Sequence, residues 1–414
     1  MSDELRPRST RSKKLSTIAR HGRLHRSNPF VTVAKVLAAS LAVLLVSGAS
    51  VAAIATYDVA SSVQESVPLA NETEGPAPKI DAIPGGVNLL VVGSDSRKGQ
   101  DASFGPEDST GDLNDVTMLL HISEDHTNAS VISFPRDMYV PIPECPDPDG
   151  GTFDAMSSQK INTTLTYGGL ACTVLTVEKL TGLSIPYAAE VQFDGVMAMS
   201  TAVGGVPVCV AEDIEDEYTN TYLPAGMHTL EGLEALQFLR TRHGVGDGSD
   251  LTRISNQQVF LSSLVRTVKS ASTLSDPVKV YSLAKAVTAN MNLSTSLNDV
   301  STLASIAVAL KDIDLSKVVF VQAPTGNVDG GVEPIQPDFD DLFTAVEDDD
   351  SLQLAGDPAA EDPAAIPDPD ATTDPAAPVP DPAATPPTAV LSDSVQGQTA
   401  GDVTCSAGRS LEDQ

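Results

Sequence analysis

Short apolar runs alternate with segments of helical spacing between residues 87 and 323. Apolar runs of six or seven residues that end at turn signals are typical of buried strands, whereas apolar positions three and four apart indicate helices. Because strands and helices intermix, the pattern favours an α/β or α+β domain over an all-β sandwich. The predicted strands are 87–93, 116–122, 129–134 and 317–323, and the predicted helices are 173–180, 193–203, 254–269 and two within 278–310.

A further helix is expected where Thr229 precedes the segment LEGLEALQFLR. Threonine is a favourable N-cap, because its hydroxyl can accept a bond from a free backbone N–H of the first turn. The spacing predicts that Leu230, Leu233 and Leu236 face the core. Arg240 falls seven residues after Leu233, on the same stripe, so we expect it to point toward the core side and to need a partner there.

The longest uncharged apolar stretch is 36–57, and its 22 residues match the length of a bilayer-spanning helix. The flank before it is basic and the flank after it starts with Asp58, so the positive-inside rule predicts a cytoplasmic N-terminus and an extracytoplasmic remainder. The alternative is a signal peptide cleaved near Ala53-Ile54-Ala55. An uncleaved anchor is favoured, because the apolar run and the region before it are longer than in signal peptides.

Charge divides the chain into unlike parts. The first 35 residues hold nine Lys and Arg against two acidic residues, whereas 338–414 hold eighteen Asp and Glu against one arginine. The net charge of −31 excludes a nucleic-acid binder built on overall positive charge. Asp-Pro-Ala repeats near the end predict disorder. The predicted parts are a basic tail (1–35), an anchor (36–57), a linker (58–85), an extracytoplasmic domain (86–345) and a disordered tail (346–414).

The four cysteines permit three disulfide connectivities outside the cytoplasm. Cys145 and Cys172 both flank Pro- and Gly-rich sequence and are the preferred pair. Cys209 ends an apolar run and is a candidate buried thiol. Cys405 stands alone in a polar segment, and its pairing is left open.

Arginines and aspartates follow the ends of the predicted elements. Open α/β sheets collect ligands at strand ends, and the planar fork of arginine suits phosphate oxygens. Two carboxylates beside phosphates commonly hold Mg²⁺. The pattern therefore predicts a polyphosphate or pyrophosphate site with a divalent cation. The residues in question are Asp95, Arg97, Asp115, Arg136, Arg240, Arg242 and Arg253.

A structural explanation exists for each residue taken singly. A lone arginine is more often a surface ion pair. An aspartate after a strand is as often a turn residue as a ligand, so for Asp95 the two interpretations have equal weight. His243, directly after Arg242, is the histidine most worth following. The case for a site rests on the clustering at element ends.

The motifs, taken in order, resemble the LytR-CpsA-Psr family of bacterial cell-envelope proteins, with actinobacterial features. The resemblance covers about 87–268. It rests on VNLLVVGSDSR (87–97), NDVTMLL (114–120), VISFPRD (131–137), KIN (160–162), YGG (167–169), VEKLTG (177–182), VGGV (203–206), LEGLEALQFLRTR (230–242), DLTR (250–253) and the glutamines at 257 and 258.

The resemblance implies a three-layer αβα domain with a central mixed sheet, which transfers a phosphate-linked glycopolymer from a polyprenyl-pyrophosphate carrier to peptidoglycan. Asp95 and Asp115 would hold Mg²⁺ or Mn²⁺, and one of them would help deprotonate the acceptor hydroxyl. The expected partners are the carrier-linked glycan, peptidoglycan and the membrane, with no nucleic acid. Pyrophosphate would be held by Arg97, Arg136, Arg240, Arg242, Arg253 and Gln257.

The chain departs from the family pattern at two positions. Leu113 and Asn256 stand where the family usually has arginine, which predicts a weaker pyrophosphate grip or a different polymer. Two other functions stay open: a pyrophosphatase that uses water as the acceptor, and a non-catalytic envelope regulator or binding protein.

Overall fold

The computed structural model describes residues 29–62, 66–70, 86–98, 100, 112–148, 150–270, 273, 276–355 and 388–414. The chain divides into two units, 1–56 and 57–414. The helices are α1 (Pro29–Ser61), α2 (Thr164–Thr181), α3 (Phe193–Val203), α4 (Leu233–Arg240), α5 (Asp250–Lys269), α6 (Pro277–Asn290), α7 (Val300–Asp312) and α8 (Asp338–Glu347).

The longer strands belong mainly to the central sheet, and most of the shorter ones form two-stranded ribbons at its margins. The strands are β1 (Val87–Ser94), β2 (Asn114–Ile122), β3 (Ala129–Phe134), β4 (Tyr139–Ile142), β5 (Cys145–Pro146), β6 (Thr152–Phe153), β7 (Met156–Lys160), β8 (Tyr187–Val191), β9 (Val206–Val210), β10 (Ile214–Asp216), β11 (Thr221–Leu223), β12 (Gly226–Leu230), β13 (Met291–Leu293), β14 (Val318–Gln322), β15 (Thr325–Val328), β16 (Gly331–Pro334), β17 (Ser351–Gln353), β18 (Thr388–Val390), β19 (Gly397–Thr399) and β20 (Cys405–Ser406).

A seven-stranded mixed sheet organises the domain, in the order β13-β8-β1-β2-β3-β14-β19. Antiparallel pairs join β1 to β2 and β2 to β3, whereas β1 pairs in parallel with β8 and β3 in parallel with β14. The parallel pairs require crossover connections, and helices supply them. The predicted mixed sheet is confirmed.

Helices cover both faces of this sheet, as the alternation along β1 requires. Leu90 and Val92 belong to a core that also contains the apolar residues of α2 and α8. Leu89 and Val91 pack on the opposite core, with residues from α3, α5 and α7. A third cluster joins β9 and β12 to α4 and α5. The arrangement agrees with the predicted α/β class.

The predicted anchor, 36–57, falls within α1. No helix in the described ranges is long and apolar enough to cross a membrane. The anchor stays a prediction.

The prediction for the helix after Thr229 is wrong in its start. Thr229 lies in β12, and Gly232 is the N-cap of α4, which begins at Leu233. Leu230 and Leu236 are buried as expected, but Leu233 is 53% exposed. Leu230 belongs to strand β12 and Leu236 to helix α4, so the apparent helical stripe combined residues of two elements. The alternation along β12 was too short to reveal a strand.

The predicted disordered tail, 346–414, is also wrong over the residues that the structure describes. Helix α8 reaches Glu347, β17 follows it, and β18 pairs in parallel with β17. Farther on, β19 adds an edge strand to the central sheet beside β14. Leu391, Val395 and Ala400 are buried. Strands of two or three residues carry no detectable period, and their partners lie far away in sequence. The repeats at 356–387 lie outside the described residues.

Two disulfides use all four cysteines. Cys145 is bonded to Cys172, the pair that the sequence favoured. Cys209 is bonded to Cys405, across 196 residues of sequence, so the buried-thiol expectation for Cys209 is wrong. The two residues stand directly opposite each other where β20 pairs with β9. The second bridge therefore fastens the C-terminal segment to the body of the domain.

Candidate functional site

Two aspartates lie where β1 ends and β2 begins. The register of this antiparallel pair shifts after Gly93, so that Asp115 is an extra residue on β2. Bulges of this kind redirect a side chain and are frequent beside active sites. Asp95 accepts a hydrogen bond at Oδ1 from the N–H of Leu113, at 2.9 Å. Burial raises the pKa of Asp95 and repulsion from Asp115 adds to the rise, although the Leu113 bond opposes it.

Arg136, just after β3, is surrounded by carboxylates. Its Nη1 lies 2.6 Å from Oδ1 of Asp115, and its Nε lies 3.3 Å from Asp250 and 3.7 Å from Asp137. Burial alone would lower the pKa of Arg136, but Asp115, Asp250 and Asp137 outweigh it and raise the pKa. The guanidinium therefore stays charged at the end of the sheet.

Arg253 approaches the same point from the first turn of α5. Its Nη2 lies 2.9 Å from Asp250 and donates to the backbone oxygen of Asp115, also at 2.9 Å. Arg253 is only 5% exposed; burial lowers the pKa of its guanidinium, and the neighbouring Asp250 opposes that shift. Asp250 thus bridges two arginines that come from different elements.

Arg240 and Arg242 come from the end of α4. The Arg240 guanidinium stacks 4.4 Å from the centre of the Phe193 ring, and no described carboxylate forms an ion pair with it. Arg240 is exposed, so the expectation that it points into the core is wrong. Arg242 donates from Nε to the oxygen of Gly248, at 3.0 Å. Gln257 on α5 donates to the oxygen of Leu239, at 3.1 Å.

These side chains border one cavity of about 390 Å³ between the sheet and helices α3, α4 and α5. Asp115 and four arginines form the polar side, at the end of the sheet. Most of the remaining wall is apolar. A cavity with both kinds of wall suits a ligand with a strongly anionic head and a hydrocarbon body. The apolar wall includes Val91, Met118, Val196, Met199, Leu236, Leu239, Phe260, Leu261 and Leu264.

The structure brings the sequence-predicted site residues together. Asp115, Arg136, Arg240, Arg242, Arg253 and Gln257 line the cavity. Asp95 and Arg97 do not line it, but both act electrostatically on Arg240, as does Asp115. Residues as far apart in sequence as Asp95 and Arg240 therefore share one electrostatic environment.

Sequence reasoning did not assign a role to Asp250, to Asp216 or to the apolar wall. The spacing of Asp250 and Arg253 was a usable signal, because residues three apart on a helix are neighbours. Nothing local distinguished Asp216 from other acidic residues of a strongly acidic segment. The wall comes from several separate elements, and no single periodic pattern contains it.

Of the two missing arginines, the one at position 256 has a structural explanation. Asn256 is buried; its amide donates to the oxygen of Phe238 at 2.7 Å and its oxygen accepts from the hydroxyl of Ser406. It therefore joins α5 to the C-terminal segment, where an arginine would not fit without displacing that contact. The backbone of Leu113 exchanges two hydrogen bonds with Asp95, but nothing in the structure explains why its side chain is a leucine.

Asp216, at the end of β10, is fully buried beside the cavity. Its Oδ2 accepts from Thr241 Oγ1 at 2.7 Å and from the N–H groups of Arg242 and His243 at 3.0 and 3.1 Å. Its Oδ1 accepts from the N–H of Tyr218 at 2.9 Å. Burial alone would raise the pKa of Asp216, but these bonds outweigh it and hold the pKa below 3.8.

Asp216→Asn is expected to lower the free energy of unfolding by about 2–3 kcal/mol at pH 7, because the amide leaves buried donors without an acceptor. The folded-state pKa lies below the unfolded one, so the stabilisation is present above about pH 4 and is lost as pH falls through the folded pKa. Urea unfolding at pH 7 and pH 3 checks this. The difference in free energy of unfolding between wild type and variant should be smaller at pH 3 than at pH 7. Glu217→Gln, at an exposed neighbouring position, should change the free energy of unfolding little at either pH. A constant gap would contradict the assignment.

The carboxylate pair also fits a divalent cation. No group of three or more His, Cys, Asp or Glu side chains forms a metal site in the part of the chain that the structure describes. Mg²⁺ does not need one, since it is often held by one or two carboxylates together with water and phosphate oxygens. The repulsion between Asp95 and Asp115 is of the kind that a bound cation relieves.

Sequence comparison gives the family to which this fold belongs. The sequence profile of the LytR_cpsA_psr family matches residues 50–344, and the chain belongs to that family. The resemblance drawn from the ordered motifs is confirmed.

Two relatives have informative names. The cell wall biosynthesis protein LcpA of Corynebacterium glutamicum is 30% identical over 279 residues, which are 60% of this chain and 52% of LcpA. The chain thus spans about half of that relative. TagT of Bacillus subtilis, named a polyisoprenyl-teichoic acid–peptidoglycan teichoic acid transferase, is 28% identical over 290 residues, which are 68% of this chain and 83% of TagT.

A solved structure shares the fold. It is the LytR-Csp2A-Psr enzyme from Actinomyces oris, which aligns with a TM-score of 0.50 at 22% identity and covers 68% of this chain and 97% of the other. At this identity the likeness concerns the fold.

Proposed function

We propose that the protein is a phosphotransferase that attaches a phosphate-linked glycopolymer from a polyprenyl-pyrophosphate carrier to peptidoglycan. The observation that carries the proposal is the cavity with arginines at one end and mainly apolar side chains along the rest. A polyprenyl pyrophosphate is divided in the same way, into an anionic head and a hydrocarbon chain. The names of the relatives, one in cell wall biosynthesis and one a teichoic acid transferase, support the same class of reaction.

In the proposed reaction, a hydroxyl of peptidoglycan attacks the phosphorus that carries the glycan. A new P–O bond forms, the bond to the lipid-linked phosphate breaks, and polyprenyl phosphate leaves. We assign the hydroxyl proton to one of the two carboxylates, Asp95 or Asp115. The apolar wall holds the lipid. The bound lipid excludes water, and this exclusion strengthens the interactions between the arginines and the phosphates.

The arginines bind and orient the pyrophosphate. Arg240 forms no ion pair with a described carboxylate, so its guanidinium is available to a phosphate. Arg136 and Arg253 are held in place by Asp250, so their forks are oriented before the ligand arrives. Preoriented donors stabilise charge that develops on phosphoryl oxygens. Asp95 and Asp115 would hold Mg²⁺ or Mn²⁺, which when bound neutralises phosphate charge.

We also propose that the domain lies outside the membrane, with 36–57 as its anchor. The charge asymmetry around this stretch supports that orientation. The two disulfides support an oxidising compartment. Anchoring would keep the site near its lipid-borne donor and raise the donor's effective concentration.

The deciding experiment incubates the purified full chain with Mg²⁺ and a polyprenyl-pyrophosphate oligosaccharide, with and without peptidoglycan. We expect polyprenyl phosphate to appear only with the acceptor, together with glycan bound to peptidoglycan. EDTA should stop the release, and added Mg²⁺ should restore it.

The other outcomes separate the remaining functions. Release without acceptor would replace the proposal with a pyrophosphatase. Tight binding of the lipid with no release under any condition would indicate a binding or regulatory protein.

A further inference from the structure

Two aromatic rings lie beside the arginines at the cavity. Tyr218 and His243 have ring centres 4.5 Å apart and planes inclined by 35°. Both line the cavity, together with Arg242, which precedes His243 in the chain. Aromatic residues make up only 4% of this chain, and Tyr218 is 81% exposed. A large exposed ring at a cavity is a candidate contact surface for a ligand.

Asp216 fixes these rings relative to the arginines. One carboxylate oxygen accepts from the N–H of Tyr218, and the other accepts from the N–H groups of Arg242 and His243. The hairpin of β10 and β11 and the segment after α4 are thereby joined through a single buried side chain. The Tyr218 ring is exposed and the His243 ring is half-buried, but the backbone of both is held, so little ordering entropy is lost when a ligand packs on them.

A sugar ring fits this surface chemically. One face of a pyranose is lined by C–H groups, which pack on the negative face of an aromatic ring, and its hydroxyls stay in water or bond to polar neighbours. The sugar of a glycan pyrophosphate is bonded directly to the phosphate. A ligand whose phosphate lies on Arg242 therefore carries its first sugar next to His243 and Tyr218.

We propose that Tyr218 and His243 form a stacking platform for the first sugar of the donor glycan. The inference rests on the proposed function and adds a subsite to it. A membrane contact for Tyr218 is less favourable, since Glu215 and Glu217 on the same hairpin would be repelled by anionic lipid. The platform would let the site distinguish a sugar-bearing carrier from the bare lipid pyrophosphate.

The test compares two probes on the full chain: polyprenyl pyrophosphate bearing a single N-acetylglucosamine, and the same lipid pyrophosphate without sugar. We expect Tyr218→Ala to weaken binding of the sugar-bearing probe about tenfold, as loss of a stacked ring does elsewhere, and to leave the bare lipid unchanged. Tyr218→Phe should retain the affinity. Tyr222→Ala is the matched control, because Tyr222 is exposed on the same hairpin outside the residues that line the cavity.

Several results would overturn the platform. An equal loss for both probes would place Tyr218 on the lipid or the bilayer, and no loss for either would make the ring a bystander. If the wild type bound neither probe, the proposed function would fall as well. If the wild type bound both and transferred the glycan, but Tyr218→Ala discriminated as the wild type does, only the platform would fail.

Discussion

Arg136→Ala is expected to lower the rate of glycopolymer transfer by about 10²–10³-fold, because removal of one preoriented donor to a developing anion typically has that effect. The variant also takes from Asp115 its 2.6 Å partner and leaves Asp250 with one arginine instead of two. A steady-state assay of transfer, with melting temperature measured on the same sample, checks the prediction.

Two further variants define what Arg136 contributes. Arg136→Lys keeps the charge but loses the planar fork, so most of the loss should persist. Lys179→Ala removes an exposed cation on α2 and should leave transfer unchanged. Near-normal transfer by folded Arg136→Ala would mean that this arginine is structural and that the charge at the end of the sheet serves the fold.

The double variant Cys209→Ser/Cys405→Ser is expected to lose about 3–5 kcal/mol of stability. A bridge that closes a loop of 196 residues restricts the unfolded chain more than one that closes 27 residues. The matched control, Cys145→Ser/Cys172→Ser, should therefore lose less, about 3 kcal/mol. Denaturant unfolding of both under non-reducing conditions provides the comparison.

The long-loop variant should also lose activity. Residues next to Cys405 contact the loop between α4 and α5: the N–H of Arg409 donates to Gly244, and the N–H of Gly246 donates to Ala407. That loop carries Arg242 and leads to Asp250. A smaller stability loss for the long loop than for the short one would show that chain entropy is not the main contribution of the bridge.

Much of the central sheet could be predicted, because β1, β2 and β3 are long enough for their burial to appear in the sequence as apolar runs. The runs 87–93, 116–122 and 129–134 each fall within a strand of the structure. The positions of the arginines after element ends also indicated the anionic side of the cavity. These signals are local: a run, a stop and a charged residue within about ten positions.

The rest depends on partners that no local pattern reveals. Cys405 and Ser406 form a two-residue strand only because they pair with β9. Asp216 has its structural role because the segment 241–243 donates hydrogen bonds to its carboxylate. The helical stripe read from Thr229 failed because Leu230 and Leu236 are buried from different elements. Short elements take their structure from tertiary contacts, which outweigh intrinsic preference.

The pairing of β19 with β14 and of β20 with β9 has a consequence for the order of events in folding. Contacts across such sequence distances form late, since much chain entropy must be lost before they contribute. The sheet keeps an open edge at β14 until residue 399 has emerged, and open edges invite pairing between chains. Under the proposed extracytoplasmic location, this window would fall after translocation.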